Sequence, residues 1–389
     1  MPTNNPNALP TGYKIHEYHF QDVLGQGGFG ITYLAHDTEL NAPVAIKEYF
    51  PNQLAVRDSN NYTVQPKSPE DTKNFTWGLK RFIKEARTLA SFNHPNIVHV
   101  RRFFKANNTA YIVMDYEKGY NLYKRLKKGP IAEAELMQLL QPLLEGLKTL
   151  HQAGYLHRDI KPANIYLRTK DNTPVLIDFG MARHEICDKT RSMNTIVSPG
   201  YSPFELYQSG REQGPWTDIY ALGAVLYHII SGTKPIEATK RVNANIYEEP
   251  DPLTPALKIG HNHYSKQLLK AIDWALKVRE TDRPKNITAW TKAIYSKQPH
   301  HNPIKWTTLL TLTICLLLTF YTSCPKIKPD DTNNKTSITN CKTSDKNSYR
   351  DPLRDGGCGP EMVTIPAGIF KQATKNKQCS TALPSAATK

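Results

Sequence analysis

Cysteine is scarce in this chain: six among 389 residues, four of them (Cys324, Cys341, Cys358 and Cys379) at or beyond position 324. No close Cys/His spacing occurs, which argues against a structural metal module, and His261, His263, His300 and His301 read as surface residues. Acidic residues are in short supply too. Against 50 Lys and Arg stand 35 Asp and Glu, a formal charge of +15. Such an excess suits nucleic acid, but no compact basic and aromatic platform accompanies it, although Lys124, Arg125, Lys127 and Lys128 cluster. No nucleic-acid partner is expected; a solvated basic face, or attraction to an anionic membrane surface, fits better. The first 17 residues are polar and rich in Asn and Pro, so no signal peptide is expected. Long uncharged apolar runs are missing as well, with one exception.

That exception is residues 306–324, a run of 19 without a charge. At about 1.5 Å rise per residue it is long enough for a hydrocarbon core about 30 Å thick. Trp306 and Tyr321 lie near its ends, and Lys305, Lys326 and Lys328 flank it. Its threonines lower the hydropathy, so a buried core helix is the competing reading.

The chemistry concentrates between His157 and Gly180. His157, Arg158, Asp159, Lys161 and Asn164 are followed by Asp178, Phe179 and Gly180. Asp159 is a candidate base, Lys161 a phosphate-facing cation, and Asn164 and Asp178 offer the hard oxygen ligands that Mg²⁺ prefers. Phosphoryl transfer needs such a set, because its transition state is stabilised by position and charge rather than by covalent help. Upstream, Gly25, Gly27 and Gly30 lie in GQGGFG between two strand-like stretches, one with Tyr18, Phe20 and Val23, the other with Ile31, Tyr33 and Ala35. A glycine pattern of this kind also marks dinucleotide folds, where it opens a helix; here β-branched and aromatic residues follow it. Taken by itself, a plain glycine-rich hairpin would look the same. Lys47 ends the alternating strand VAIK, where the bland alternative is a surface lysine.

HRDIKPAN followed by DFG resembles the protein-kinase signature. With GQGGFGITYLA and VAIKEYFP, the stretch 18–296 resembles a bacterial branch of the eukaryotic-like serine/threonine protein kinases. The resemblance implies an α+β, bilobal fold: a β-rich N-lobe over 18–116 and a helical C-lobe over 117–296. It implies ATP and Mg²⁺ as cofactors, with Mn²⁺ the alternative ion, and protein substrates with Ser/Thr acceptors. The nucleotide site would comprise Gly25, Gln26, Gly27, Gly28, Gly30, Ala45, Lys47, the gatekeeper Met114, the hinge residues Asp115, Tyr116 and Glu117, and Asn164 and Asp178 with the metal. Lys47 would pair with Glu85, Asp159 would accept the substrate proton, and Lys161 at its spacing favours Ser/Thr over Tyr acceptors. His157 reads as structural. Arg158 suggests pairing with an activation-segment phosphate on Thr190, Ser192 or Thr195; Cys187 reads as an unremarkable thiol. Two departures stand out: Thr32 replaces the usual valine over adenine, and SPGYSPFE ends differently from the usual APE. A homodimer is left open.

The supporting pattern is helical. Leu79, Phe82, Ile83, Ala86, Leu89 and Ala90 form one stripe with Glu85 at its flank, preceded by an unusually long polar connection that includes residues 58–61 and 68–71. Leu136, Leu139, Leu140, Leu143, Leu144, Leu147 and Leu150 form another; Pro142 predicts a kink there and Gly154 its end. Glu205 should pair with Arg283, Asp218 should brace the catalytic loop, residues 218–230 should form a buried helix, and Trp274 and Trp290 should pack the last helices.

The expected organisation is a flexible arm (1–17), the kinase domain (18–296), a juxtamembrane linker (297–305), a transmembrane helix (306–324), an extracytoplasmic linker (325–358) and a C-terminal fragment (359–389). Because ATP is cytoplasmic, the kinase should face the cytoplasm at a cell membrane, with the tail in a disulfide-permissive compartment. In that tail GPEMVTIPAGIF, residues 359–370, resembles the start of a formylglycine-generating enzyme/sulfatase-modifying domain, and a truncated sensor module is expected; a short generic strand is the other reading. The alternative function is a nucleotide-binding pseudokinase scaffold at the membrane.

Overall fold

The computed structural model describes residues 6–179, 197–208 and 210–296, with two short strands, Ser348–Tyr349 and Met362–Val363. Gly180, Cys187, Thr190, Ser192, Thr195 and the run 306–324 lie outside the described residues. Among the described residues no helix is long and apolar enough to cross a membrane. Two units are distinguished, Met1–Pro299 and His300–Lys389. Of the second, the described part is one antiparallel pairing, Ser348 with Val363 and Tyr349 with Met362; the rest of 359–370 lies outside.

The first unit opens with β1 (Lys14–Ile15), β2 (Tyr18–Gly27), β3 (Gly30–Asp37), β4 (Ala42–Tyr49), the small hairpin β5 (Ala55–Arg57) and β6 (Val64–Pro66), α1 (Pro69–Leu89), β7 (Val100–Ala106) and β8 (Thr109–Asp115). Six strands form one antiparallel sheet in the order β1-β2-β3-β4-β8-β7. Side chains alternate across a strand, so Ile31, Tyr33, Ala35, Val44 and Ile46 are buried on the core face. The intervening Thr32, Ala45 and Lys47 take the other face, with Thr32 opposite Lys47 in register. That alternation points the lysine into the cleft.

Three expectations change here. The polar connection after β4 is not a bare loop, because residues 55–66 fold back as β5 and β6 in antiparallel register. The helix carrying Glu85 starts ten residues before Leu79: Ser68 caps it by accepting from the Asp71 amide at 3.2 Å, and Pro69 opens it. Nor is the N-terminal arm loose where described, since Leu9 and Ile15 are buried in the core. The physical reason is one buried carboxylate. Glu48 alternates to the core face of β4 and accepts from Tyr33 at 2.8 Å, Tyr111 at 2.7 Å and Arg57 at 2.5 Å. Arg57 also donates to the Asn7 carbonyl, and the Leu9 amide donates to the Tyr33 hydroxyl. A buried charge needs such partners, and supplying them draws the arm and the hairpin onto the sheet.

The C-lobe begins with β9 (Gly119–Asn121), α2 (Leu122–Leu126) and α3 (Glu133–Gln152). All seven stripe leucines of α3 are buried; a leucine moved out of water contributes roughly 1.5–3 kcal/mol. Pro142 lies inside α3 without dividing it. Gly154 follows with a left-handed φ of 79° and donates its amide to His151, which turns the chain into the catalytic loop. Next come β10 (Ile165–Arg168) and β11 (Pro174–Leu176), paired antiparallel. The Pro215–Ser231 helix is buried almost all round, and Gly223 within it lets Ala275 approach so closely that an added Cβ would meet that methyl at 2.8 Å. Trp290 is fully buried and donates to the Ala271 carbonyl at 2.9 Å, whereas Trp274 is half-buried against the core.

Candidate active site

The roof of the cleft is the β2–β3 hairpin. Gly25 pairs with Thr32, Gln26 with Ile31 and Gly27 with Gly30, so the glycines join two strands as expected. Around Gly25 and Gly27 there is open space, while a Cβ at Gly30 would sit 2.4 Å from the Glu48 carbonyl oxygen. Only glycine fits that close approach. Behind the hairpin, Lys47 Nζ stands 3.1 Å from Asp178 Oδ1 and 3.9 Å from Glu85 Oε1. Glu85 does face inward, but its contact with Lys47 is the looser of the two. Met114, next to last in β8, is buried. The acids beside it have their own cations: Asp115 takes Arg101 at 2.6 Å, and Glu117 takes Arg168 through both oxygens at 2.7 Å. The hinge therefore offers a ligand its backbone rather than its carboxylates.

The floor is the catalytic loop, and the fully buried Asp218 holds it. Its carboxylate accepts from the amides of His157 and Arg158 and is bonded to the His151 ring, each at 2.8 Å. Burial alone would raise this carboxyl, but the His151 hydrogen bond and charge and the Arg158 amide hold it below the usual range. The brace matters because Arg158 has φ 65° and Asp178 φ 58°, left-handed values that non-glycine residues adopt at a cost. His157 is buried, accepts from the Asp159 amide at Nδ1, and contacts the Ile177 carbonyl through Nε2 at 3.2 Å. Its ring stacks on Phe179 with centroids 4.3 Å apart. Burial pushes this imidazole down, against the pull of Asp218 and Asp159. It is a neutral strut linking the two motifs, in keeping with the structural role read from the sequence.

Asp159 is the centre of the polar cluster. Its carboxylate accepts from Lys161 Nζ at 3.0 and 3.1 Å, Asn164 Nδ2 at 2.8 Å and Ser198 Oγ at 2.9 Å. Lys161 also donates to Ser198 at 3.1 Å. Ser198 is the site residue that the sequence left unassigned. Its signal was present in SPGYS, where serine retains the hydroxyl of the usual threonine. With Nδ2 turned to Asp159, Asn164 has Oδ1 left as the atom to hold a cation, and Asp178 contributes a carboxylate about a third exposed. Two hard oxygen donors, leaving room for phosphate oxygens and water, fit Mg²⁺. Among the described residues no group of three or more His, Cys, Asp or Glu forms a rival metal site.

Below the site, Glu205 and Arg283 pair in full burial at 2.7 and 3.2 Å, with the Thr217 hydroxyl on the same carboxylate at 3.0 Å. This fixes the end of the SPGYSPFE segment against the C-lobe.

The protein kinase domain model matches residues 18–295. Serine/threonine-protein kinase B of Synechocystis is 32% identical over 231 residues, 57% of this chain and 38% of that protein. Serine/threonine-protein kinase PknB of Mycobacterium leprae is 32% identical over 247 residues, 61% of this chain and 36% of that protein. The chain thus spans less than two fifths of the length of these curated relatives. Among solved structures, PpkA-294 in its apo form is 41% identical with a TM-score of 0.67, over 74% of this chain and 99% of that one.

Proposed function

The chain belongs to the protein kinase family, and we propose that it is a serine/threonine kinase moving the γ-phosphoryl group of ATP to protein hydroxyls. One observation carries the reading: Asp159, Lys161, Asn164 and Ser198 converge within hydrogen-bond distance, with Asp178 beyond them linked to Lys47 of the other lobe. Asp159 orients the acceptor hydroxyl and takes its proton, for which reach matters more than a shifted pKa. Lys161, already at that carboxylate, neutralises charge building on the transferred group, and Lys47 holds the phosphates from above. Asn164 Oδ1 and the Asp178 carboxylate would hold Mg²⁺, which supplies charge neutralisation between the phosphates.

The test is phosphate incorporation from ATP and Mg²⁺ by the full chain beside Asp159→Ala. Loss of the base is expected to lower the rate at least about a hundredfold, with label on serine and threonine and none on tyrosine. Equal incorporation in both proteins would remove the kinase reading and leave a scaffold.

The same reading places the kinase at the cytoplasmic face of a cell membrane. Its support is the uncharged run 306–324 with lysines on both flanks. The resemblance of 359–370 to a sulfatase-modifying domain supports a sensing module beyond that run, and Arg158 supports control by phosphorylation of Thr190, Ser192 or Thr195, including self-phosphorylation within a dimer.

A further inference from the structure

The basic cluster on α2 and the two residues after it plays no part in the chemistry above. Lys124, Lys127 and Lys128 are exposed, and among the described residues none of them pairs with a carboxylate. Arg125 beside them is different: it turns back onto Glu135 at 2.8–2.9 Å and onto the Gly129 carbonyl. Two of the lysines instead lie over aromatic rings, Lys127 Nζ 4.7 Å from the Tyr123 centroid and Lys128 Nζ 4.6 Å from that of Tyr120.

Helix α2 packs against the Pro162–Asn164 turn of the catalytic loop, which sets this patch beside the acceptor site. Burial, with a smaller push from the half-exposed Tyr123, raises the Tyr201 phenol to about 12. Tyr201 closes the SPGYS turn by donating its amide to the Ser198 carbonyl at 2.9 Å, and Ser198 reaches Asp159. A fourth lysine borders the same turn. A Cβ on Gly200 would meet Lys234 Cγ at 2.7 Å, so the Lys234 stem lies along the turn, and its charge bears on His228. His228 shares a 2.6 Å hydrogen bond with the Tyr201 hydroxyl. Of the carboxylates on the flanking elements, Glu117 is engaged by Arg168, Glu135 by Arg125, and Asp159 by Lys161 and Asn164, while Glu237, three residues beyond Lys234, bears on Tyr207. Positive charge thus borders the turn from two separate elements, four lysines against Glu237.

We propose that Lys124, Lys127, Lys128 and Lys234 form a subsite for anionic side chains of the protein substrate. The favoured acceptors are then Ser or Thr flanked by acidic or already phosphorylated residues. The proposal rests on the kinase reading of the same cleft. Each exposed pair contributes little by itself; the preference comes from several like charges acting on one anionic segment, and it weakens with added salt.

The experiment compares four peptides sharing one serine acceptor, with flanks of Gln, Glu, phosphoserine or Lys. Both kcat/KM and peptide Kd, by fluorescence anisotropy, are measured on the full chain. Glu or phosphoserine flanks should improve both about tenfold over Gln, with Lys flanks poorest; the better of the two anionic arms identifies carboxylate or phosphate as the source. Reversing the charges, Lys124→Glu, Lys127→Glu, Lys128→Glu and Lys234→Glu together, should invert the order, whereas Lys270→Glu elsewhere on the C-lobe should not. Equal values for Gln and Glu flanks, or an order unchanged by the reversal, overturn the subsite. If no peptide accepts phosphate the kinase reading fails, and the anisotropy still decides whether anionic peptides bind.

Discussion

The Asp159 carboxylate is held from three sides, by Lys161, Asn164 and Ser198, before any substrate arrives. Of these donors only Ser198 is a neutral hydroxyl. A hydrogen bond to a charged group is worth about 1.5–3 kcal/mol, so Ser198→Ala should lower kcat at least about tenfold. Steady-state kinetics should show an unchanged KM for ATP and recovery in Ser198→Thr. His157 makes a different kind of prediction. Burial lowers its folded pKa, below an unfolded value of about 6.5. Its contribution to stability is therefore complete above about 6.5 and lost as pH falls toward the folded value, with a slope of at most about 1.4 kcal/mol per pH unit. Urea unfolding between pH 7 and 5 should show the wild type weakening faster than His157→Gln; parallel slopes would count against the neutral strut.

Strand β4 shows how one element serves two purposes through its period of two. Ala45 and Lys47 face the cleft, while Val44, Ile46 and Glu48 face the core. The VAIK pattern made Lys47 legible in advance. Glu48 was not, because nothing local signals that a carboxylate will be buried; its partners Tyr33, Arg57 and Tyr111 come from three other strands. Burial pushes its carboxyl upward and Arg57 pulls it back. Arg57→Ala leaves that acid without its cation and should cost roughly 3–5 kcal/mol in urea unfolding. Replacing both, Glu48→Gln with Arg57→Met, should restore much of the loss. A similar reason hid the true start of α1. Residues 69–78 are mostly polar, so the apolar stripe read from the sequence starts at Leu79 and misses Phe75, which packs against Tyr49, although the Ser68 cap and Pro69 were visible.

Across the whole molecule, the candidate site exists only because the two lobes meet: Lys47 comes from the sheet, Asp178 from the segment after β11, and the two stand 3.1 Å apart. The proposed membrane attachment is likewise tested on the entire chain. If 306–324 spans the bilayer, the full chain should stay in carbonate-washed membranes and a version lacking that run should be released from them; wild type in the supernatant would overturn the anchor. The sequence by itself determined the bilobal kinase fold, the meeting of Lys47, Asp159, Lys161, Asn164 and Asp178 in one cleft and the Glu205–Arg283 pair, because these are written in local motifs and in periods of two and 3.6. Only the tertiary structure decided that Ser198 joins Asp159, that Asp178 lies nearer Lys47 than Glu85 does, and that Glu48 draws the N-terminal segment onto the sheet. Each of these depends on distances between residues far apart in the chain, which no local pattern encodes.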